Sequence, residues 1–214
     1  GDNNISNLME MGCWSNTYKL GKDDTIQLVI DEDVINFEDQ QFDIHDLPMH
    51  GKHNLSNVIM AMYAAFLYGI HPEDSFLALK SSKGVKRRFE TVFQNDNKVI
   101  IDDFAHHPTA ILHTVQAAIN HFSSKKILGI IELASNTMSQ GHHGAELYES
   151  ASGLEKVYWL NLSSKRNKEF EYDSIQLLLA DLKKDIDNFD VILIMSNKDS
   201  KKISEPIIDL IKIK

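Results

Sequence analysis

One cysteine, Cys13, is all the thiol chemistry this chain has. No disulfide framework can be built within it, and a reducing cytoplasmic compartment is the expected setting. Proline and glycine are sparse, at 4 and 10 of 214 residues, which excludes collagen-like and proline-rich disordered chains. No apolar run reaches the ~20 residues of a membrane span. The polar opening GDNNISNLMEMG has no signal-peptide pattern. Basic charge is also in deficit, with 22 Lys and Arg against 31 Asp and Glu and a formal net charge of −9. Sequence-independent binding to nucleic acid or an anionic membrane needs a basic face, and this balance excludes it. The phosphate-loop pattern G-x-x-x-x-G-K-[ST] occurs nowhere, and neither do the metal patterns H-E-x-x-H and C-x-x-C.

What remains is a globular composition, 43% hydrophobic and 25% charged, enough to bury a sizeable core. Residues 1–50 carry strand-like runs broken by acidic turns, TIQLVIDED and VINFEDQQFDI, and predict a small antiparallel piece. Leu55, Val58, Ile59, Met62 and Phe66 fall at helical spacing, with Asn54 as a candidate N-cap and Gly69 as a candidate C-cap. A second helix is expected from Pro72 to Ser82, and a domain boundary near Ser82–Gly84. Beyond it, short apolar strands alternate with helices. A strand pair is expected at Arg88–Phe93 and Lys98–Asp103, then a helix over Pro108–Phe122, and then KKILGIIEL, GAELYESAS, KVYWLNL, DSIQLLLADLKKDI, DVILIMS and SEPIIDLIKI in strand–helix alternation. That order predicts an α/β fold with a mainly parallel sheet covered by helices on both faces. Ligands of such sheets bind beyond the carboxyl ends of the strands.

Three polar loops fall at those ends. IDDFAHHPTA places Asp102, Asp103, His106 and His107 between a strand and a helix N-terminus, where an anion is favoured. ELASNTM and MSNKDSKK follow two later strands. Taken singly, each is an ordinary connection or helix cap; their convergence on one edge points to a site. Lys86, Arg87 and Arg88 form a basic cluster at the boundary, either a solvated charge run or a set of phosphate-seeking forks. Asn54 and Asn57, at i and i+3, are either capping residues or carboxamides able to pair with a base. Two other readings stay open. One is a metal-dependent phosphoesterase built on Asp102, Asp103, His106 and His107, with or without His142. The other is a non-catalytic module that senses nucleotide or peptide.

The ordered set MGCWS, GKHNLSN, GVKRRFE, DDFAHHPTAI, SNTM and MSN resembles the Mur ligase family over nearly the whole chain. Within it, DDFAHHPTAI and SNTM are similar to the branch that works in peptidoglycan recycling. The resemblance implies that residues 1–83 are the C-terminal part of a central ATPase domain. It implies that residues 84–214 are a Rossmann-like C-terminal domain, preceded by that strand-plus-helix remnant. The phosphate loop and the main Mg2+ ligands are then expected on another part of the enzyme, with this piece inactive alone and no metal ligands assigned to it. The implied reaction uses ATP to join UDP-N-acetylmuramate to a muropeptide-derived tripeptide, L-Ala-γ-D-Glu-meso-diaminopimelate, through an acyl phosphate. By the same resemblance, Asn54 and Asn57 would contact the adenine side of ATP, Arg88 its phosphates and Asp103 its ribose. His106 and His107 would stand between the γ-phosphate and the incoming peptide. Ser135, Asn136, Thr137, Ser196 and Asn197 would face that peptide. Two loops depart from the family pattern. Ala134 stands where an arginine is expected, and Lys198–Lys202 occupy a stretch expected to be glycine-rich. Lys198, Lys201 or Lys202 is expected to replace the arginine.

Overall fold

The computed structural model describes residues 3–18, 28–31, 33–37, 40–49, 51–134, 144–161 and 170–212. They form two compact units. One runs up to Pro48 and resumes over Lys52–Gly84; the other joins Met49–Gly51 to the chain from Val85 onward.

The first unit holds α1 (Asn3–Glu10), an antiparallel sheet and two further helices, α2 (Lys52–Leu67) and α3 (Pro72–Lys80). The sheet runs β1 (Leu28–Asp31), β2 (Val34–Phe37), β3 (Gln40–Asp43), in that order. Alternation buries Ile35 and Phe37 of β2 and Phe42 of β3. Helical spacing buries Leu55, Val58, Ile59 and Met62 of α2. Aromatic rings tie the layers, Phe37 to Phe66 and Phe42 to Phe76, each with centroids 4.9 Å apart. Two capping expectations part ways here. α2 begins at Lys52, so Asn54 lies inside the first turn rather than at the cap. Gly69 does end the helix. At φ +87° it lets its own N–H reach Phe66 O (2.8 Å) and the N–H of Ile70 reach Ala65 O (3.1 Å), the paired closure of a Schellman motif.

The second unit is built on a six-stranded sheet among the described residues. Its strands are β4 (Glu90–Gln94), β5 (Val99–Asp103), β6 (Ile127–Glu132), β7 (Lys156–Leu160), β8 (Glu171–Tyr172) and β9 (Val191–Met195). The order is β4-β5-β9-β6-β7-β8; β4 is antiparallel to β5 and the other pairs are parallel. Apart from charged residues at their ends, β5, β6, β7 and β9 are apolar because both faces are covered. Ile101, Ile131, Leu193 and Met195 pack with Ile111 and Val115 of α4 (Pro108–His121) and Leu147 of α5 (Gly144–Glu149). On the opposite face Ile100, Ile130, Ile192 and Ile194 pack with Leu178 and Leu182 of α6 (Ile175–Asp185) and Ile203 and Ile207 of α7 (Lys201–Lys212). This is the expected α/β sheet with helices on both faces.

The first strand of the expected pair starts later than its sequence suggests. Arg87 and Phe89 have φ of 57° and 55°, which no strand residue adopts, so the chain turns through Arg88 and β4 starts at Glu90.

Candidate functional site

The parallel strands β5, β9 and β6 lie side by side and end together. Their last residues bring Asp102 and Asp103, Ser196, and Glu132 to one edge. Successive residues of a strand point to opposite faces, and the two aspartates obey this. Asp102 continues the Ile100 side, toward α7, and accepts a hydrogen bond from the Ser200 hydroxyl at 2.6 Å. Asp103 continues the Ile101 side, toward α4. One of its oxygens accepts from the N–H of Ala105 (2.8 Å) and the hydroxyl of Thr114 (3.2 Å); the other accepts from the N–H of Phe89 (2.8 Å). It is 1% exposed. Its visible role is to pin the turn at Phe89 and the loop at Ala105.

That turn carries the basic cluster. The backbone N–H of Arg87 donates to Glu90 at 2.7 Å, and its carbonyl accepts from Phe104 N–H at 2.9 Å. Its guanidinium donates to the backbone carbonyl of Ser196, and its Nε lies 3.4 Å from Asp102 Oδ2. Arg88 and Arg87 both lie over the Phe104 ring, at 5.8 Å and 5.0 Å from its centroid. Burial pushes the Asp102 carboxyl above its ordinary range, and Glu90 and Asp103 add to the rise. The Ser200 hydrogen bond and the Arg87 charge oppose it. Ser196 is itself buried. Its hydroxyl donates to Glu132 and accepts from the N–H of Lys198 at 3.0 Å.

The histidines differ. The His106 ring is partly buried, packs edge-on against Phe104 with centroids 5.2 Å apart, and places Nδ1 2.9 Å from Phe104 O. A carbonyl only accepts, so Nδ1 carries the proton and a neutral ring keeps its lone pair on Nε2. His107 is exposed and occupies the N-cap of α4 without a side-chain capping bond, while Pro108 opens the helix as expected.

Three buried polar atoms of this unit have no hydrogen-bond partner among the described residues. They are Arg87 Nε, Asp102 Oδ1 and Asn197 Oδ1, and all belong to residues of this edge. Arg87 Nε still has the Asp102 carboxylate 3.4 Å away; unpaired buried atoms such as the other two are a cost that functional sites retain.

Asn54 and Asn57 belong to the first unit, and the i, i+3 spacing does not give them a common environment. Asn54 is buried and Asn57 exposed. Ser135, Asn136, Thr137 and His142 lie outside the described residues. Lys198, Lys201 and Lys202 are exposed. No group of three or more His, Cys, Asp or Glu among the described residues could hold a metal ion. The divergence of Asp102 and Asp103 is the reason their segment does not form one. Among the described residues, no helix is long and apolar enough to cross a membrane. The sequence pointed to Arg88, Asp103 and the histidine pair. It did not single out Thr114, Ser200, Glu132 or the reach of Arg87 to Ser196. Strand parity alone would have separated the aspartates.

Residues 87–198 match the Mur ligase, glutamate ligase domain. The UDP-N-acetylmuramate–L-alanyl-gamma-D-glutamyl-meso-2,6-diaminoheptandioate ligase of Haemophilus influenzae is 30% identical over 223 residues, covering 96% of this chain and 49% of that protein. The UDP-N-acetylmuramate–L-alanine ligase of Christiangramia forsetii is 38% identical over 130 residues, covering 60% of this chain and 28% of that one. Among solved structures, a murein peptide ligase from Psychrobacter arcticus 273-4 superposes with a TM-score of 0.70 at 24% identity, over 96% of this chain and 48% of that one. The chain thus spans about half or less of the length of these relatives.

Proposed function

The chain belongs to the Mur ligase family, and from that premise we propose that it is part of an ATP-dependent ligase that forms an amide on UDP-N-acetylmuramate. The incoming amine in this reading is the tripeptide L-Ala-γ-D-Glu-meso-diaminopimelate, and the setting is peptidoglycan recycling in the cytoplasm. The alignment supports the tripeptide, since the relative named for it is matched over 96% of this chain. Residues 1–83 are read as the end of the ATPase domain and residues 84–214 as the C-terminal domain. The division into compact units between Gly84 and Val85 supports this.

The observation that carries the reading is the pairing of Arg88 and His106 on one aromatic ring, Phe104. A phosphate-seeking guanidinium and an imidazole with a lone pair on Nε2 serve the two halves of such a reaction. ATP, when bound, supplies the phosphoryl group that activates the substrate carboxylate. Arg88 neutralises charge on its phosphates. His106 takes the proton that the incoming ammonium must lose before it can attack. His107, exposed at the N-terminus of α4, faces the same anionic ligand. Asp103 fixes the turn that carries Arg88, and its carboxylate, which accepts three bonds of about four it can take, is read as the contact to the ribose hydroxyls. Asn54 and Asn57 are read as the adenine contacts, and Ser135, Asn136, Thr137, Ser196 and Asn197 as the peptide contacts. Mg2+ accompanying the ATP would take its main ligands from another part of the enzyme, a reading supported by the lack, among the described residues, of any group of three or more His, Cys, Asp or Glu able to hold a metal ion.

The test is phosphate release from ATP by the full-length ligase, with UDP-N-acetylmuramate or the tripeptide omitted in turn. Release that needs both, with a UDP-linked product of their summed mass less water, is the expected result. Release with another amine alone would keep the ligase and move the specificity. No release with any amine would leave the sensing module as the better reading.

A further inference from the structure

At the carboxyl edge, the Arg87 side chain does something its neighbour Arg88 does not: it leaves its own turn and grips another loop. Its guanidinium holds the backbone carbonyl of Ser196 while its Nε faces Asp102. Asp102 in turn holds Ser200 through its hydroxyl at 2.6 Å. Between these two grips lies the short loop from Ser196 to Ser200, which connects β9 to α7. The loop is fixed from inside as well, by Ser196 N–H on Asp103 O (3.1 Å), Ser196 Oγ on Glu132, and Lys198 N–H on Ser196 Oγ (3.0 Å). Arg87 reaches it from a turn that has φ of 57° at Arg87 itself. A left-handed backbone at a non-glycine residue is retained where the surroundings over-determine it. Glu90 on the Arg87 N–H, Asp103 on the Phe89 N–H and Phe104 beneath the guanidinium provide that. The clasp is not saturated, because Arg87 Nε, Asp102 Oδ1 and Asn197 Oδ1 are buried without hydrogen-bond partners among the described residues.

The geometry points to Arg87 as a positioning residue: with Asp102 it sets the Ser196–Ser200 loop against the turn that carries Arg88. Arg88 remains available for a ligand phosphate, whereas Arg87 is committed to the protein. Resting on the ligase reading above, the consequence is kinetic. Arg87 governs placement of the incoming amine, because the loop it holds carries Ser196 and Asn197. It has little effect on nucleotide affinity.

Two measurements test this. Amide hydrogen exchange on the 214-residue chain reads the clasp without any activity. Arg87→Ala and Asp102→Asn should speed exchange over residues 196–200 about tenfold, with β6, β7 and α4 unchanged. Arg87→Lys, which keeps one donor for the Ser196 carbonyl, should restore part of the protection. Unchanged loop exchange would overturn the proposal, and so would an equal loss across the whole sheet, which marks a merely structural residue. In the full-length ligase, Arg87→Ala should raise KM for the amine about tenfold and leave KM for ATP within about twofold. An equal rise in both would overturn it. A loosened loop in a protein whose unmodified form shows no amine-dependent turnover would support the clasp and refute the ligase reading, so the two fail separately.

Discussion

Asp102 and Asp103 are adjacent, yet they act on opposite sides of the sheet and carry opposite obligations. Asp103 accepts three donors while almost fully buried. Asp103→Ala leaves three donors without this acceptor, each worth about 1–3 kcal/mol when left unsatisfied, and should therefore cost at least about 3 kcal/mol by chemical denaturation. A loss below about 1 kcal/mol, the worth of one ordinary hydrogen bond, would show that the three bonds are not made in solution. Asp102 behaves differently. Burial raises its pKa above the ordinary 3.8, so the folded chain holds this proton more tightly than the unfolded chain does. From pH 3.8 upward the unfolded chain ionises first, and stability falls with rising pH until the folded carboxyl has titrated. The advantage of the wild type over Asp102→Asn should thus be largest in acid and shrink through that window. Denaturation at a series of pH values would show it, and an advantage that grows with pH would contradict the assignment. Strand parity in DDFAHH separates the two faces, but the partners waiting on each, Ser200 for Asp102 and Phe89, Ala105 and Thr114 for Asp103, were not legible there.

At the scale of the element, legibility followed periodicity. The apolar runs of β6 and β9 and the spacing of α4 and α6 announce themselves, since a strand covered on both faces admits little else. The turn at Arg87–Phe89 did not. Its two positive φ values are held by the neighbouring Glu90 and by Asp103 and Phe104 further along the chain, and local propensity carries little trace of them. The two-residue strand β8 is too short to have a period. Gly129 shows an element constrained by its neighbour. A Cβ at this point of β6 would lie 2.7 Å from Leu154 Cδ1. Gly129→Ala should cost about 1–3 kcal/mol as an overpacked core. Combining it with Leu154→Val, which withdraws the offending methyl, should recover part of that loss. Strict additivity of the two in denaturation would mean that the contact is not what constrains Gly129.

For the whole molecule, the sequence leads to an expected boundary near Ser82–Gly84; the chain forms two compact units, one ending at Gly84 and the other joining Met49–Gly51 to the residues from Val85 onward. The family came from ordered motifs rather than from any one of them. The edge that the motifs share was legible because parallel sheets gather strand ends on one side. The hydrogen bonds linking those ends, Arg87 to Ser196 and Ser200 to Asp102, span about a hundred residues of chain and needed the fold. The central claim is that this edge serves an amide ligase working through an acyl phosphate. The most direct measurement is to give the full-length enzyme UDP-N-acetylmuramate labelled with oxygen-18 in its carboxylate, together with ATP and the tripeptide. The account predicts that the label appears in inorganic phosphate, released with ADP and the amide product. Label recovered in AMP, or phosphate formed without label, would contradict it.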